Sequence, residues 1–189
     1  MFLRKAALRA VPAYAVVDSE IIEAVEATLE EDDAALQDAL DRGYADLDRR
    51  QPALAQWMAE KLALSSDELV QSLGYFLTVT VYLAFREAFP TRLDEVDESA
   101  IDVSNAMLTV DEELRADDPS EILDSDDVLA MSQPAVLSYV QHHVHEALDQ
   151  SGGEVDLEQL DDVYRSLLVL VICLSHAVTS PNGTRPALD

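Results

Sequence analysis

Apolar residues recur at three- and four-residue intervals along most of the chain, which is the spacing of one face of an α-helix. Such stripes follow Asp18, return after Asp33, and return again after Pro52, a residue suited to the first turn of a helix. Their members are Ile21, Ile22, Val25 and Leu29; Leu36, Leu40, Tyr44 and Leu47; and Leu54, Trp57, Met58 and Leu62. The pattern predicts an all-α protein.

Two longer apolar stretches cover residues 73–85 and 167–178. Each is shorter than the roughly 20 residues that cross a bilayer, so we expect two buried core helices and no membrane span. Ser65 and Glu68 have capping-box spacing and predict the start of the first of these helices. Its β-branched residues 78–82 leave a strand as the alternative.

The second half of the chain repeats the pattern of the first. Ile101 follows Ile22 by 79 positions, and Gln133-Pro134-Ala135 follows Gln51-Pro52-Ala53 by 82. The other matching residues are Asp97, Ala106, Leu108 and Asp111 with Asp18, Ala27, Leu29 and Asp32. We therefore predict one compact domain of about eight helices, built as two similar four-helix halves around a pseudo-twofold axis. Chance likeness between amphipathic helices is the alternative.

This organisation divides the chain into four parts. Residues 1–17 form a basic amphipathic segment, 18–90 the first helical half, 91–178 the second half, and 179–189 a disordered tail. The halves differ most in residues 111–132, where a short helix starting at Pro119 is expected. The N-terminal segment lacks the apolar run of a signal peptide. We expect this basic segment to dock on the protein's own acidic surface, or on another copy in a homodimer, rather than to contact an anionic membrane.

Charge and cysteine content narrow the possible partners. The net charge is −26 and the only lysines are Lys5 and Lys61, so the surface repels nucleic-acid phosphates and direct nucleic-acid binding is not expected. The acidity fits adaptation to a salty cytoplasm, an ordinary solvated surface, or imitation of a phosphate backbone. The single cysteine, Cys173, cannot form an internal disulfide and suits a reducing compartment, so a cytoplasmic location is predicted.

A histidine cluster is the one local group with metal-ligand spacing. His142, His145 and Glu146 lie three and four residues apart, so a helix presents them to one side. The cluster matches neither the zinc-protease motif nor the Glu-x-x-His of di-iron bundles. The alternative interpretation is a solvated helix face.

The other candidate chemistry is weaker. Cys173 and His176 are three residues apart, but the thiol lies in an apolar run, where thiols are inert. Asp124 and Asp126 resemble the start of a calcium loop that lacks the required glycine and glutamate. The sequence contains no Gly-rich phosphate loop and no Gly-x-Ser-x-Gly. We therefore predict neither an enzyme nor a cofactor.

These observations favour a non-catalytic, adaptor- or chaperone-like protein that binds another protein. Trp57 and Tyr139 occupy equivalent positions in the repeat and are the candidate contact residues, together with the groove between the halves. One alternative is a metal-binding protein or metal-dependent enzyme that uses His142, His145 and Glu146. Another is a phosphate-mimicking inhibitor of a basic nucleic-acid-binding protein.

Overall fold

A computed structural model describes residues 8–29, 33–117, 124–152 and 154–182, with residues 33 and 34 described by backbone alone. Within these ranges the chain forms eight α-helices, one short 3₁₀ turn and no strand, which confirms the predicted all-α fold with about eight helices. The 3₁₀ turn is Ala13–Ala15, and the helices are α1 (Ser19–Leu29), α2 (Asp33–Arg50), α3 (Pro52–Ala63), α4 (Glu68–Ala88), α5 (Glu98–Ala116), α6 (Ser125–Ser132), α7 (Pro134–Ser151) and α8 (Leu157–Ala177).

The most extensive contact between helices is that of α4 with α8. Residues 166–175 of α8 are all buried, as are most residues of 77–85 in α4. A helix buried on every face must be covered by neighbours on every side. The cover for α4 comes from α1, α2 and α7, whereas α3 and α5 cover α8. The two apolar stretches are therefore core helices, as predicted.

α4 is longer than its apolar stretch suggested. With 21 residues, it is the one helix among the described residues that is long and apolar enough to cross a membrane. The expectation that this stretch is too short to span a bilayer is therefore wrong. However, 56% of its most apolar window is buried inside the fold, which is also typical of a core helix in a soluble protein.

The two threonines in the β-branched stretch of α4 are compatible with a helix because their hydroxyls bond within it. Thr78 donates to the Gly74 carbonyl and Thr80 to the Phe76 carbonyl, each at 2.7 Å. A threonine hydroxyl that bonds four residues back is satisfied without a partner from another helix. The strand alternative for this stretch is therefore wrong.

The start of α4 differs from the predicted capping box. The carboxylate of Asp67 accepts the N–H groups of residues 69 and 70 at 2.9 and 3.2 Å, so Asp67 is the N-cap and Glu68 the first helical residue. Ser65 instead donates its hydroxyl to Oε1 of Gln159 in α8 at 2.6 Å. The prediction of Ser65 as the cap is wrong because its side chain ties the two core helices together.

Two buried glutamines connect helices to distant extended segments. Gln51, directly before α3, and Gln133, directly before α7, have nearly the same backbone angles (φ −137° and ψ 56° against φ −131° and ψ 64°). Each side chain bonds to one carbonyl and one N–H of the backbone. The bonds are Gln51 Nε2 to the Asp94 carbonyl (2.8 Å), Val96 N to Gln51 Oε1 (2.7 Å), Gln133 Nε2 to the Ala15 carbonyl (2.6 Å) and Val17 N to Gln133 Oε1 (3.0 Å).

Asp46 joins α2 to α4 through charge. Its carboxylate accepts hydrogen bonds from the Tyr82 hydroxyl at 2.9 Å, from Arg86 at 2.8 Å, and from Arg49 and Arg50 on its own helix. The side chain is only 12% exposed. Burial alone would raise the pKa of Asp46, but these four donors hold it far below its usual value.

The predicted ends and the predicted short helix are only partly described. Residues 1–7, the helix start expected at Pro119, and residues 183–189 lie outside the described ranges. The N–H of Thr179, at the start of the predicted tail, donates to the Arg92 carbonyl at 2.8 Å. Its hydroxyl bonds to the same carbonyl at 3.1 Å.

Replacing Asp46 by Asn should lower the free energy of unfolding at pH 7 by about 2 kcal/mol, because three arginines and a tyrosine lose a charged acceptor. The folded-state pKa of Asp46 is below its unfolded value. The wild type should therefore lose this stabilisation as the pH falls below about 5, and Asp46→Asn should lose less. Urea unfolding at pH 7, 4 and 3 measures this, with exposed Asp48→Asn as the control. Equal acid sensitivity of wild type and Asp46→Asn would contradict it.

Candidate functional site

α5 carries an apolar stripe that points away from the core. Val103, Val110 and Leu114 are 49%, 46% and 52% exposed, and Met107 between them is half-buried. Their spacing of four, three and four residues places them along one side of the helix, as in the contact seam of a coiled coil. We call these four residues the α5 stripe. It is an apolar face of the kind that a partner helix covers.

A polar clamp on α8 fixes one side of α5. Arg165 donates from Nε to Glu112 at 3.1 Å, from Nη1 to Asn105 at 2.8 Å and from Nη2 to Thr109 at 2.7 Å. These three acceptors lie on successive turns of α5, and a planar guanidinium can reach all three in only one orientation of the helix. Arg165 therefore sets the rotation of α5 against α8.

A buried carboxylate fixes the other side. Asp111 is 2% exposed and accepts hydrogen bonds from Arg115 Nε at 2.6 Å, the Ser125 hydroxyl at 2.8 Å and the Leu8 N–H at 3.4 Å. Burial alone would raise the pKa of Asp111, but these donors hold it below its usual value. Because Arg165 and Asp111 fix α5 on both sides, the α5 stripe faces outward.

Acidic side chains border the α5 stripe on its outer side. Asp102, Glu113 and Asp117 are exposed, and helical geometry places them next to the stripe on the side away from the core. In the described part of the chain, no ion pair involves any of the three. The border is therefore negative and would attract basic side chains.

The predicted contact residues do not form a common surface. Trp57 is half-buried on α3, and the Lys61 ammonium lies 5.4 Å from its ring centroid. Tyr139 is only 7% exposed and belongs to the core, packed against His143 with ring centroids 4.5 Å apart. Of this pair, only Trp57 offers surface to a partner.

The predicted metal ligands are exposed on α7, beside an open hollow of about 350 Å³. His145 Nδ1 lies 2.7 Å from the Gln141 carbonyl, and Glu146 accepts a hydrogen bond from Gln150. The ligand atoms of His142, His145 and Glu146 do not come together within 4.8 Å of one another. Helical spacing alone has therefore not gathered them into a coordination sphere.

One group of acidic residues among the described ones does come that close: Asp124, Asp126 and Asp127. These carboxylates serve the start of α6. Asp124 and Asp127 form a capping box, and Asp126 accepts the Tyr164 hydroxyl at 3.0 Å. The arrangement has a structural explanation that needs no ion.

A cavity of about 160 Å³ lies where the end of α3 meets α8. Its lining includes Lys61, exposed Leu64, Ser65, Gln159 and Arg165. The polar groups of Ser65 and Gln159 bond to each other, and Arg165 bonds to α5. This cavity is therefore a small gap between bonded helices.

His143, which lies on α7 between the predicted metal ligands, is largely buried. Its side chain is 18% exposed and packs between Phe76 and Tyr139. Nε2 has no hydrogen-bond partner among the described residues, and Glu26 and Glu146 carboxylate oxygens lie 3.8 and 3.6 Å from the ring nitrogens. Burial lowers the pKa of His143, and the two glutamates partly oppose that shift.

Tyr139 next to it is a second buried polar group that has no hydrogen-bond partner among the described residues. Burial raises the pKa of Tyr139. The neighbouring Thr80 hydroxyl works against this rise, but it donates to the Phe76 carbonyl and forms no hydrogen bond of normal geometry with Tyr139. Tyr139 and His143 together make this a tightly packed but polar part of the core.

The thiol of Cys173 is expected to be unreactive. Cys173 is 3% exposed, and burial raises the pKa of its thiol to about 12. A thiol with such a pKa stays protonated at neutral pH and is a poor nucleophile. His176, three residues on, forms no hydrogen bond with it in the described structure.

No family model matches the chain, and neither does any curated protein or solved structure. Among the described residues, the α5 stripe is an exposed apolar surface on a single helix face. The stripe's spacing was readable in the sequence. However, apolar spacing does not reveal whether a neighbour covers the face.

Replacing His143 by Leu should weaken the pH dependence of stability between pH 8 and pH 6. Because the folded-state pKa is below the unfolded one, the wild type loses stability as the unfolded chain takes up a proton on lowering the pH from 8 to 6. His143→Leu lacks this loss. His143→Gln should also lack this loss, but it should be less stable than His143→Leu at pH 8, because it buries a polar amide. Urea unfolding at both pH values measures this, and unchanged pH dependence in both variants would contradict it.

Proposed function

We propose that this chain is a non-catalytic protein that binds another protein through the α5 stripe. The observation that carries the proposal is the stripe itself: four apolar side chains with coiled-coil spacing, three of them about half exposed. Completing the burial of each would stabilise a complex by roughly 1 kcal/mol, about half the value for full burial. Arg165 and Asp111 hold the helix in place, so little ordering free energy opposes binding.

Two observations favour this function over the alternatives. The ligand atoms of His142, His145 and Glu146 do not converge, so geometry gives a metal-dependent role little support. An inhibitor that imitates a phosphate backbone needs acidic side chains but no exposed apolar stripe. The high negative charge agrees with a cytoplasmic protein that does not bind nucleic acid directly.

We also propose that residues 18–90 and 91–178 are two similar halves related by a pseudo-twofold axis. The support comes from the two buried glutamines. Gln51 bonds to the segment at residues 94–96, and Gln133 bonds to the segment at residues 15–17, which lies 79 positions earlier. Each glutamine thus holds the segment that leads into the first helix of the other half. Such reciprocity is expected of a duplicated unit.

Comparison of the stripe with the matching positions of the first half supports a binding role for the stripe. The positions 79 residues before the stripe are Ala24, Thr28, Glu31 and Ala35. Of these, Ala24 and Thr28 lie in α1, which ends at Leu29, and neither has a large apolar side chain. Because α1 forms without large apolar side chains at the two positions that it shares with the stripe, a binding role explains the stripe better than stability does.

Partner binding should be lost when the α5 stripe is made polar. We expect the double variant Val110→Gln/Leu114→Gln to retain its partner at least tenfold less than the wild type, because the buried apolar area at the contact falls. The matched control is Leu64→Gln/Leu157→Gln, which changes two exposed leucines elsewhere. Quantitative mass spectrometry after affinity capture from lysate of the source organism, at low and high salt, measures retention.

Circular dichroism and thermal melting establish that both double variants remain folded. Equal loss of partner in the two variants, or full retention by the stripe variant, would contradict a binding role for the α5 stripe. A partner that is basic and lost only at high salt would instead favour the phosphate-mimicking alternative.

The two glutamines should contribute similarly to stability. Gln51→Ala and Gln133→Ala each leave a buried N–H and a buried carbonyl without their partner, so each should lower the free energy of unfolding by about 2–4 kcal/mol. Exposed Gln56→Ala in α3 should change it by less than about 0.5 kcal/mol. Urea unfolding measures all three. A large loss for one buried glutamine and a value near the control for the other would count against equivalent halves.

A further inference from the structure

We propose that residues 2–7 of this chain occupy the α5 stripe when no partner is bound. The inference concerns regulation of the surface assigned under the proposed function, and it depends on that function only for its biological meaning. Residues 2–7, called the segment below, would compete with a partner for the stripe until the partner displaces them.

The starting point of the segment is fixed beside the stripe. Leu8 is 8% exposed and belongs to the core, and its N–H lies 3.4 Å from Oδ1 of Asp111. Asp111 is four residues after Met107 and three before Leu114, so both stripe residues are its direct neighbours on the helix surface. The contacts of Arg165 lie on the opposite side of α5. The residue that directly follows the segment therefore lies beside the stripe.

The reach of the segment matches the length of the stripe. Leu3 precedes Leu8 by five positions, which span about 17 Å in an extended chain. The farthest stripe residue, Val103, lies eight positions from Asp111, or about 12 Å along α5. An extended segment therefore brings any residue of the stripe within reach of Leu3.

The chemistry of the segment complements that of the surface. Phe2, Leu3, Ala6 and Ala7 are apolar, and Arg4 and Lys5 lie among them. The stripe offers apolar side chains bordered by Asp102, Glu113 and Asp117. Lys5 is one of only two lysines in a chain of net charge −26, so its position in this segment places scarce positive charge next to the acidic border.

A second copy of the chain is a poorer occupant. Pairing α5 with α5 of another molecule would bring the acidic borders, Asp102, Glu113 and Asp117, close to the same residues of the partner. Like charges facing each other along paired helices are destabilising. The N-terminal segment avoids this repulsion and already belongs to the molecule, so its effective concentration at the stripe is high.

Disulfide trapping in the full chain tests this directly. We expect Leu3→Cys/Val110→Cys to form an internal disulfide under mild oxidation at least tenfold faster than Leu3→Cys/Ala24→Cys. Ala24 is exposed on α1, at the position that matches Val103 in the repeat. Cys173 is buried and does not compete. Adding Arg4→Glu and Lys5→Glu to the first variant should slow trapping several-fold at low salt but less at high salt.

Equal trapping rates for the two pairs would overturn the proposal. Disulfides formed only between molecules, detected as covalent dimers, would also overturn it and identify a second copy as the occupant. The experiment uses no partner protein, so its outcome is independent of whether the stripe variants lose their partner in the capture experiment.

Discussion

The packing of α4 against α8 is the constraint on which the rest of this structure depends. Both helices are apolar on nearly every side, so neither can exist in water without neighbours. α1, α2 and α7 cover α4, and α3 and α5 cover α8. Polar contacts then hold these covering helices in place, including Asp46 between α2 and α4 and the Ser65–Gln159 pair between the ends of the core helices. The outer helices thus take their positions from what the central pair must bury.

α5 shows how this arrangement produces a surface. It covers α8 with Ile101, Ser104 and Leu108, while Arg165 on one side and Asp111 on the other prevent it from rotating. The remaining apolar residues of α5 cannot turn inward without breaking buried hydrogen bonds to charged groups, which is costly in a low-dielectric interior. A fixed, outward apolar stripe with a negative border is therefore a consequence of how α5 is held.

Helix positions could be predicted from the sequence because apolar spacing depends only on which residues need burial. Details that depend on neighbours could not be predicted. Ser65 and Asp67 are both good caps, and only the position of Gln159 decides that Ser65 bonds elsewhere. Histidine is polar, yet Phe76 and Tyr139 enclose most of the His143 side chain. The exposure of Val110 depends on the absence of a covering helix in the described fold, which periodicity does not encode.

Hydrogen–deuterium exchange of the full chain, with and without its captured partner, tests most directly whether α5 is the binding surface. Amides of α4 and α8 should exchange slowest in both states, because only global unfolding exposes them. Partner binding should slow exchange in residues 98–117 and leave the exposed face of α7 around His142 and His145 unchanged. Protection centred on α7 or on Trp57 in α3, with none in α5, would contradict the account.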